Sequence, residues 1–465
     1  MYTDQQDKIA VIGLGYVGLP LALEFGRLFS VVGFDIDRKR IDQLRLRNDE
    51  TLEVDLKEAN AIKDDLTNEV GLYLSNSVAD IQDCNIYIVT VPTPIDSYNV
   101  PNLQPLKYAT ELVAKCLKKN DIVIYESTVY PGCTEEECVP LLEEKSGLRL
   151  NKDFFIGYSP ERINPGDKVN TLVNVVKITS GSDEDTASRV DELYRKIIKA
   201  GTFKAASIRV AEAAKAIENA QRDVNISFVN ELALIFDRIG IDTQDVLDAA
   251  ATKYNFLPFK PGLVGGHCIS VDPFYLAHKA SQVGYQPNVI LSGRRVNEQM
   301  ASFVASKVVK LMSAKDILIK GARALILGIT FKENCPDIRN SKVVDIYREL
   351  QDYGIKVDVY DPWASPEKVR AQFDIDLLRN LQGIKHNSEK ENNKRKQHTQ
   401  NYSDFENVLE HVVLSEQQSV KYDAIILAVA HKNFNNLDIT ELKKDKAVIF
   451  DTKGVLDRNL VDSRL

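Results

Sequence analysis

No stretch of the chain stays apolar for the length of a bilayer span, so no membrane-crossing helix is expected. Cysteine is sparse: six thiols, at positions 84, 116, 133, 138, 268 and 335, in 465 residues. They form no double pair at metal spacing, and Cys133 and Cys138 stand too far apart for a CxxC motif, so neither a metal centre nor a disulfide framework is expected. Excess positive charge is missing as well. With 59 Lys and Arg against 67 Asp and Glu, the formal charge of -8 leaves no global attraction for nucleic acid or an anionic membrane. Any bound phosphate has to be held by local groups. The segment from Met1 to Lys8 lacks the basic-then-apolar layout of a secretion signal, so a cytoplasmic location is expected. What remains is an ordinary globular composition, 44% hydrophobic and 27% charged, in a chain too long for one core and sized for two or three domains.

The first apolar run, Lys8-Ile9-Ala10-Val11-Ile12, suits a strand buried on both faces, and it feeds directly into Gly13-Leu14-Gly15-Tyr16-Val17-Gly18. Residues 19–29 follow with helical spacing. In such a turn Gly13 permits the tight bend, Gly15 lets the backbone approach a pyrophosphate, and Gly18 lets helix and strand pack closely. A second strand, Val31-Val32-Gly33-Phe34-Asp35, ends in an acid at the distance that grips ribose hydroxyls. Asp35 would repel a 2′-phosphate, which favours NAD over NADP, while Arg40 nearby weighs a little the other way. The competing reading of Asp35 is a cap for a helix from Arg38 onward. Strands over residues 85–91 and 121–125 run into Thr93 and Thr128, which either face the nicotinamide half of the ligand or simply form turns.

Residues 208–240 carry helix formers with no proline and no glycine before Gly240. That length suits a spine between lobes and a dimer surface better than a peripheral helix. Lys215 and Asn219, one turn apart on it, share a face among alanines, although Lys215 could equally pair with Glu212 or Glu218. A further helix is expected from about Asn297 to Met312. A second α/β pattern then repeats the strand-into-glycine opening at residues 322–332 and the strand ending in an acid at Asp361. The triple glycine is absent, so a second dinucleotide is not expected there. Lys332, Asp337 and Arg339 gather cations suited to a nucleoside diphosphate, unless Asp337 and Arg339 only pair with each other. Residues 384–419 read as a mobile insertion, since residues 385–400 have no apolar side chain, and His386 and His398 within it read as solvated. The fold class is thus α/β: two Rossmann-like doubly wound lobes joined by a central helical region with a long spine helix.

Cys268 lies in Gly265-Gly266-His267-Cys268-Ile269-Ser270-Val271-Asp272, a thiol on a glycine-flexed turn with a carboxylate four residues on. It is either a small buried hydrophobe or a nucleophile whose glycines keep the approach of a substrate carbon open. Taken in order along almost the whole chain, these residues resemble the nucleotide-sugar 6-dehydrogenase family that includes UDP-glucose and GDP-mannose dehydrogenases. The matching stretches are residues 13–18, Glu126-Ser127-Thr128-Val129 with Pro131-Gly132, Ser159-Pro160-Glu161-Arg162, Glu212 with Lys215 and Asn219, residues 265–272, and Phe331-Lys332 with Asp337 and Arg339. Tyr16-Val17-Gly18-Leu19-Pro20, Val91-Pro92-Thr93-Pro94 and Ala428-Val429-Ala430-His431 resemble the branch acting on UDP-N-acetylglucosamine or UDP-N-acetylgalactosamine. Val271 departs from the lysine that some UDP-glucose enzymes carry.

The resemblance implies an NAD lobe over residues 1–200, a central helical dimerisation region with the Cys268 turn over 201–312, and a UDP-sugar lobe over 313–465. It implies four-electron oxidation of a sugar C6 hydroxymethyl to a carboxylate, with Cys268 as nucleophile and Lys215, Asn219, Asp272, Glu161 and Thr128 around the reacting carbon. Gly13, Gly15, Tyr16, Val17, Gly18, Asp35, Arg40, Thr93 and Thr128 are the expected NAD contacts. Glu161, Arg162, Lys215, Asn219, Tyr254, Asn255, Phe259, Gly265, Lys332 and Arg339 are the expected sugar-nucleotide contacts. A homodimer or higher homo-oligomer is expected, with no nucleic-acid or membrane partner. A single-hydride dehydrogenase of the β-hydroxyacid type also joins such a lobe to helices, yet it needs neither Cys268 nor a second α/β lobe.

Overall fold

The structure is a computed structural model that describes residues 7–56, 59–66, 69–163, 167, 169–266, 269–381 and 420–465. Cys268 and the insertion expected over 384–419, with His386 and His398, lie outside the described residues. The chain divides into two compact units, Met1–Asn225 with His267–Arg295, and Ile226–Gly266 with Val296–Leu465. Two long helices, Ile208–Ile239 and Asn288–Ala314, contribute to both.

The first unit is built on nine strands: β1 (Lys8–Ile12), β2 (Ser30–Phe34), β3 (Ile62–Lys63), β4 (Gly71–Ser75), β5 (Ile86–Val89), β6 (Ile122–Tyr125), β7 (Phe155–Tyr158), β8 (Lys177–Gly181) and β9 (Thr202–Lys204). Their order in the sheet is β3-β4-β2-β1-β5-β6-β7-β8-β9. Alternate residues of β1 serve opposite faces: Ala10 and Ile12 join one core cluster, Ile9 and Val11 the other. A strand that must feed two cores reads as a continuous apolar run, which is why β1 is legible in sequence. The order reverses between β1 and β5, and a crevice opens beyond their carboxyl ends at such a switch point. Every pairing in the sheet is parallel except β7 with β8, whose register sets Tyr158 opposite Ser180.

The second unit holds a parallel sheet of five strands, ordered β11-β10-β12-β13-β14, from β10 (Arg323–Leu327), β11 (Lys356–Tyr360), β12 (Tyr422–Leu427), β13 (Lys443–Asp451) and β14 (Ser463–Arg464). Its opening repeats that of the first. Gly328 donates its N–H to the Tyr360 carbonyl at 2.8 Å with φ +91°, as Gly13 does to Phe34 at 2.8 Å with φ +95°.

The helices differ from expectation at their ends. The first covers Gly18–Gly26 and stops short of residue 29. The late one begins at Asn288 instead of 297, just after Pro287, with Gly293 tolerated in its interior. The spine helix follows its glycine-free stretch and ends at Gly240, whose φ of +73° lets the Ile241 amide reach back to the Phe236 carbonyl at 3.0 Å.

Candidate functional site

The glycine turn of the first unit has the form of a phosphate cradle. A Cβ on Gly18 would lie 1.8 Å from the Gly13 carbonyl oxygen and 2.4 Å from the Thr90 hydroxyl, so only glycine fits there. A Cβ on Gly15 would meet nothing within 4 Å, and that open backbone is what a pyrophosphate needs. Tyr16 and Val17 are half-buried beside it. Val17 stands at the cap of the first helix and offers it no side-chain acceptor, and no acid occupies the first turn, so the helix N-terminus keeps its affinity for an anion. Asp35 accepts the Leu14 amide at 2.8 Å and the Asp37 amide at 2.9 Å, tying the turn to the end of β2. The helix Arg38–Arg45 is capped by Asp37, so Asp35 is not its cap. These residues fit NAD.

Arg40, an expected NAD contact, is anchored to the glycine turn. Its side chain is buried, giving Nε to the Leu14 carbonyl at 3.0 Å and a terminal nitrogen to Asp49 at 2.7 Å. The pair with Asp49 braces Leu14 and leaves one terminal guanidinium nitrogen without a partner among the described residues. Asp35→Ala is expected to raise the Kd for NAD by about ten- to a hundredfold, the scale of hydrogen bonds to a charged acceptor, and to leave sugar-nucleotide affinity close to native. Calorimetric titration of each ligand measures this, and equal loss of both would defeat the assignment.

At the ends of β5 and β6, the Thr93 hydroxyl donates to the Thr128 carbonyl at 2.6 Å and the Ser127 hydroxyl to the Val91 carbonyl at 2.6 Å. The two threonines are thus neighbours, locked together at the switch-point side of the sheet.

Three expected reaction residues converge in the same unit. Asp272 opens the helix Asp272–Gln282, and the Asn219 amide of the spine helix donates to its carboxylate. Arg222, one turn further along and absent from the expected set, donates to the Asn219 side-chain oxygen and so fixes which end of the amide faces Asp272. Burial raises the Asp272 carboxyl to about 6, opposed by Lys215, Asn219 and Arg222. Lys215 is only 7% exposed, yet it has no hydrogen bond or ion pair among the described residues. Its two proposed partners are occupied. Glu212 accepts the Gly132 and Thr134 amides at 2.5 and 2.9 Å, and burial lifts it to about 7 against those bonds. Glu218 takes Arg162 at 2.6 Å. A buried, unspent ammonium beside a carboxylate is a pair able to hold an alcohol oxygen and accept its proton.

Glu161 has a partner that the sequence reading did not name. Its carboxylate accepts the Arg162 and Ile163 amides at 2.6 and 2.7 Å, and the Lys177 ammonium at 3.1 Å. Burial pushes Glu161 up, but Lys177 and the two amides together hold it below the usual carboxylate range. Arg162 itself turns to Glu218 and to the Val176 carbonyl at 3.0 Å. The available signal was a lysine set among apolar residues, Val175-Val176-Lys177-Ile178.

In the second unit the expected contacts separate. Tyr254 and Asn255 are exposed and Phe259 half-buried, on a loop before the glycine pair. Gly265 and Gly266 are glycines for a packing reason: a Cβ on Gly265 would lie 2.5 Å from the Asn340 carbonyl oxygen, and one on Gly266 2.7 Å from the Phe331 ring. This packing need stands beside the expectation that they clear a path for a substrate carbon. Asn340 seals the contact by donating to the Gly266 carbonyl at 2.9 Å. Arg339 pairs with Asp337 at 2.6 Å, the structural ion pair that the sequence left open, and Lys332 lies on the same loop. His431, named above only within a motif, is fully buried and organises that loop. Its Nδ1 accepts the Asn334 amide at 2.9 Å, which leaves Nε2 as the protonated nitrogen, 3.1 Å from Asp361 and 3.1 Å from the Thr330 hydroxyl.

Known proteins give this arrangement its context. Residues 7–198 match the NAD binding domain of the UDP-glucose/GDP-mannose dehydrogenase family, 209–299 its central domain and 325–458 its UDP binding domain. Fold and site together define an NAD-dependent dehydrogenase of nucleotide sugars. The chain belongs to the UDP-glucose/GDP-mannose dehydrogenase family. A UDP-N-acetyl-D-glucosamine 6-dehydrogenase of Pseudomonas aeruginosa is 52% identical over 461 residues, covering 98% of this chain and 99% of the relative. Another, of Salmonella typhi, is 50% identical over 471 aligned residues, covering all of both chains. Among solved structures, a UDP-D-ManNAc dehydrogenase of Pyrococcus horikoshii aligns with a TM-score of 0.77 at 26% identity, covering 98% of each chain. Among the described residues no helix is long and apolar enough to cross a membrane.

Proposed function

We propose that this protein oxidises the C6 hydroxymethyl of a UDP-N-acetylhexosamine to the uronic acid, supplying a precursor of a surface polysaccharide in the cytoplasm. The observation that carries this reading is the end-to-end identity of 52% and 50% with two UDP-N-acetyl-D-glucosamine 6-dehydrogenases. When bound, NAD supplies the hydride acceptor, and four-electron oxidation consumes two per sugar.

The chain's own residues do the rest. Asp272 accepts the proton of the C6 hydroxyl, while Lys215 and Asn219 hold its oxygen as negative charge develops. Thr128 shares a water with Asp272. Cys268 bonds to C6 of the aldehyde as a thiohemiacetal, and loss of the second hydride leaves a thioester on its sulfur. Retaining the aldehyde covalently keeps it from escaping between the two oxidations. Glu161 activates the water that releases the uronate and returns the thiolate. Lys332 and Arg339 on the loop after β10 hold the diphosphate end, with Tyr254, Asn255, Phe259 and Gly265 as further sugar-nucleotide contacts.

A homodimer or higher homo-oligomer through the spine helix belongs to the same reading. Val210 and Ile217, and further along Phe228 and Ile235, are spaced seven residues apart on that helix and are 46–58% exposed. Large apolar side chains repeated at that interval are what a second copy of the helix would cover.

Incubating the enzyme with NAD and a panel of UDP-glucose, GDP-mannose and UDP-N-acetylhexosamines is expected to give two NADH per molecule of an N-acetylhexosamine substrate. One NADH per sugar would replace the reading with a single-hydride dehydrogenase. Preference for UDP-glucose or GDP-mannose would move the substrate assignment.

A further inference from the structure

Three ionisable side chains meet inside the first unit with almost no access to water. Lys177 donates to Glu126 at 2.7 Å and to Glu161 at 3.1 Å, with side chains 2%, 0% and 9% exposed. The Tyr194 hydroxyl, from the helix Glu184–Arg195, donates to the other oxygen of Glu126, and the Lys177 ammonium lies 5.5 Å from the Tyr194 ring centroid. Glu126 follows β6 and Glu161 lies just past β7, so both stand at the carboxyl ends of parallel strands. Lys177 is the first residue of its strand, and in a wholly parallel sheet a first residue sits at the opposite end. The reversal of β8 changes that. Continuing its register from Tyr158 opposite Ser180, with the Ser159 hydroxyl bonded to the Ile178 carbonyl at 2.7 Å, brings Lys177 level with Glu161.

We propose that Lys177 is a positioning residue for the hydrolytic half of the reaction: delivered to the site end of the sheet by the antiparallel strand, it pins Glu161 in place as an ionised base. The role rests on the reading of Glu161 as the group that activates water. A carboxylate has about four acceptor positions, of which two amides and Lys177 fill three on Glu161, leaving one for a water. Among the described residues the charged groups around Glu161 are Lys177 and Glu126, with the neutral Tyr194 hydroxyl on Glu126 and neighbouring Arg162 turned to Glu218. Two carboxylates share one ammonium, so a first added proton goes to the less well-held of them. That one is Glu126, which among the described residues has Lys177 and Tyr194 as side-chain donors and which burial pushes up, whereas Glu161 is held low. Glu126 thereby takes the proton that would silence the base.

Lys177→Met leaves both carboxylates buried without a counter-ion, and proton uptake is the physical response. In single-turnover assays the acid limb of acyl-enzyme hydrolysis is expected to move at least about one pH unit toward alkali. Uronate release then falls about tenfold per unit of pH below the displaced limb and recovers above it, while the NADH-forming steps show no such displacement. Lys177→Arg restores the native limb. A limb that stays in place in Lys177→Met, beside a Glu161→Gln variant that no longer hydrolyses its acyl-enzyme, overturns the role of Lys177 alone. Native hydrolysis in Glu161→Gln overturns the base assignment, and the proposal with it. If Lys177→Met does not fold, the wild-type protein decides: the 13C carboxyl resonance of Glu161, assigned by its loss in Glu161→Gln, is expected to titrate below the ordinary glutamate range. Titration above that range refutes the proposal.

Discussion

Replacing Asp272 with asparagine is expected to slow the first NADH-forming step by about 10²- to 10⁴-fold, the usual worth of a positioned general base. Asparagine nearly matches the shape and removes the charge together with the capacity to take a proton. The wild-type rate is expected to fall about tenfold per unit as the pH drops below about 6, where burial places the Asp272 carboxyl. The stability effect has the opposite sign. A carboxyl raised above its unfolded value contributes stability that is full at low pH and is lost as the pH climbs through about 6. At pH 8 the ionised wild type lacks that contribution, so the asparagine variant is expected to melt no lower than the parent. Stopped-flow NADH formation and thermal melting at two pH values test both halves. A folded variant with a native burst would remove Asp272 from the chemistry.

Cys268→Ser is expected to stop acid release, lowering turnover by about 10³-fold or more. An alkoxide leaves an ester far less readily than a thiolate leaves a thioester, so any acyl group passed to serine would stay there. Mass spectrometry of the protein after exposure to NAD and substrate would find the adduct, or a reaction halted before it. Native turnover by this variant would end the covalent scheme, whatever the fate of Asp272.

Much of the nucleotide fold was legible because its signals are local. Gly13, Gly15, Gly18 and Asp35 each answer a backbone or hydrogen-bonding need within one strand-turn-helix-strand unit, and Lys215 and Asn219 are neighbours by helix geometry alone. Contacts that depend on how distant strands come together were harder to read. Nothing local ties Asn219 to Asp272, or Lys177 to Glu161, because the second pairing exists only through the reversal of β8. The Arg40 pairing is a contact of the same kind. Asp49, nine residues on, holds its guanidinium, and no local pattern marks that partner. The glycines before Cys268 advertised freedom from side chains without saying what would fill the space, and the answer is Phe331 and Asn340.

The two glycine-to-acid latches have opposite fates. Asp35 is half-buried and takes two amides, so its carboxylate keeps lone pairs for a diol. Asp361 is 6% exposed and takes four, from Ile329, Thr330, Trp363 and Ala364, and His431 stands on one oxygen besides. The same device that keeps acceptor positions open in one half of the molecule is filled in the other. An enzyme that must welcome a fresh oxidant in mid-reaction gains from this, since the incoming dinucleotide finds only one berth and the half-processed sugar keeps its own.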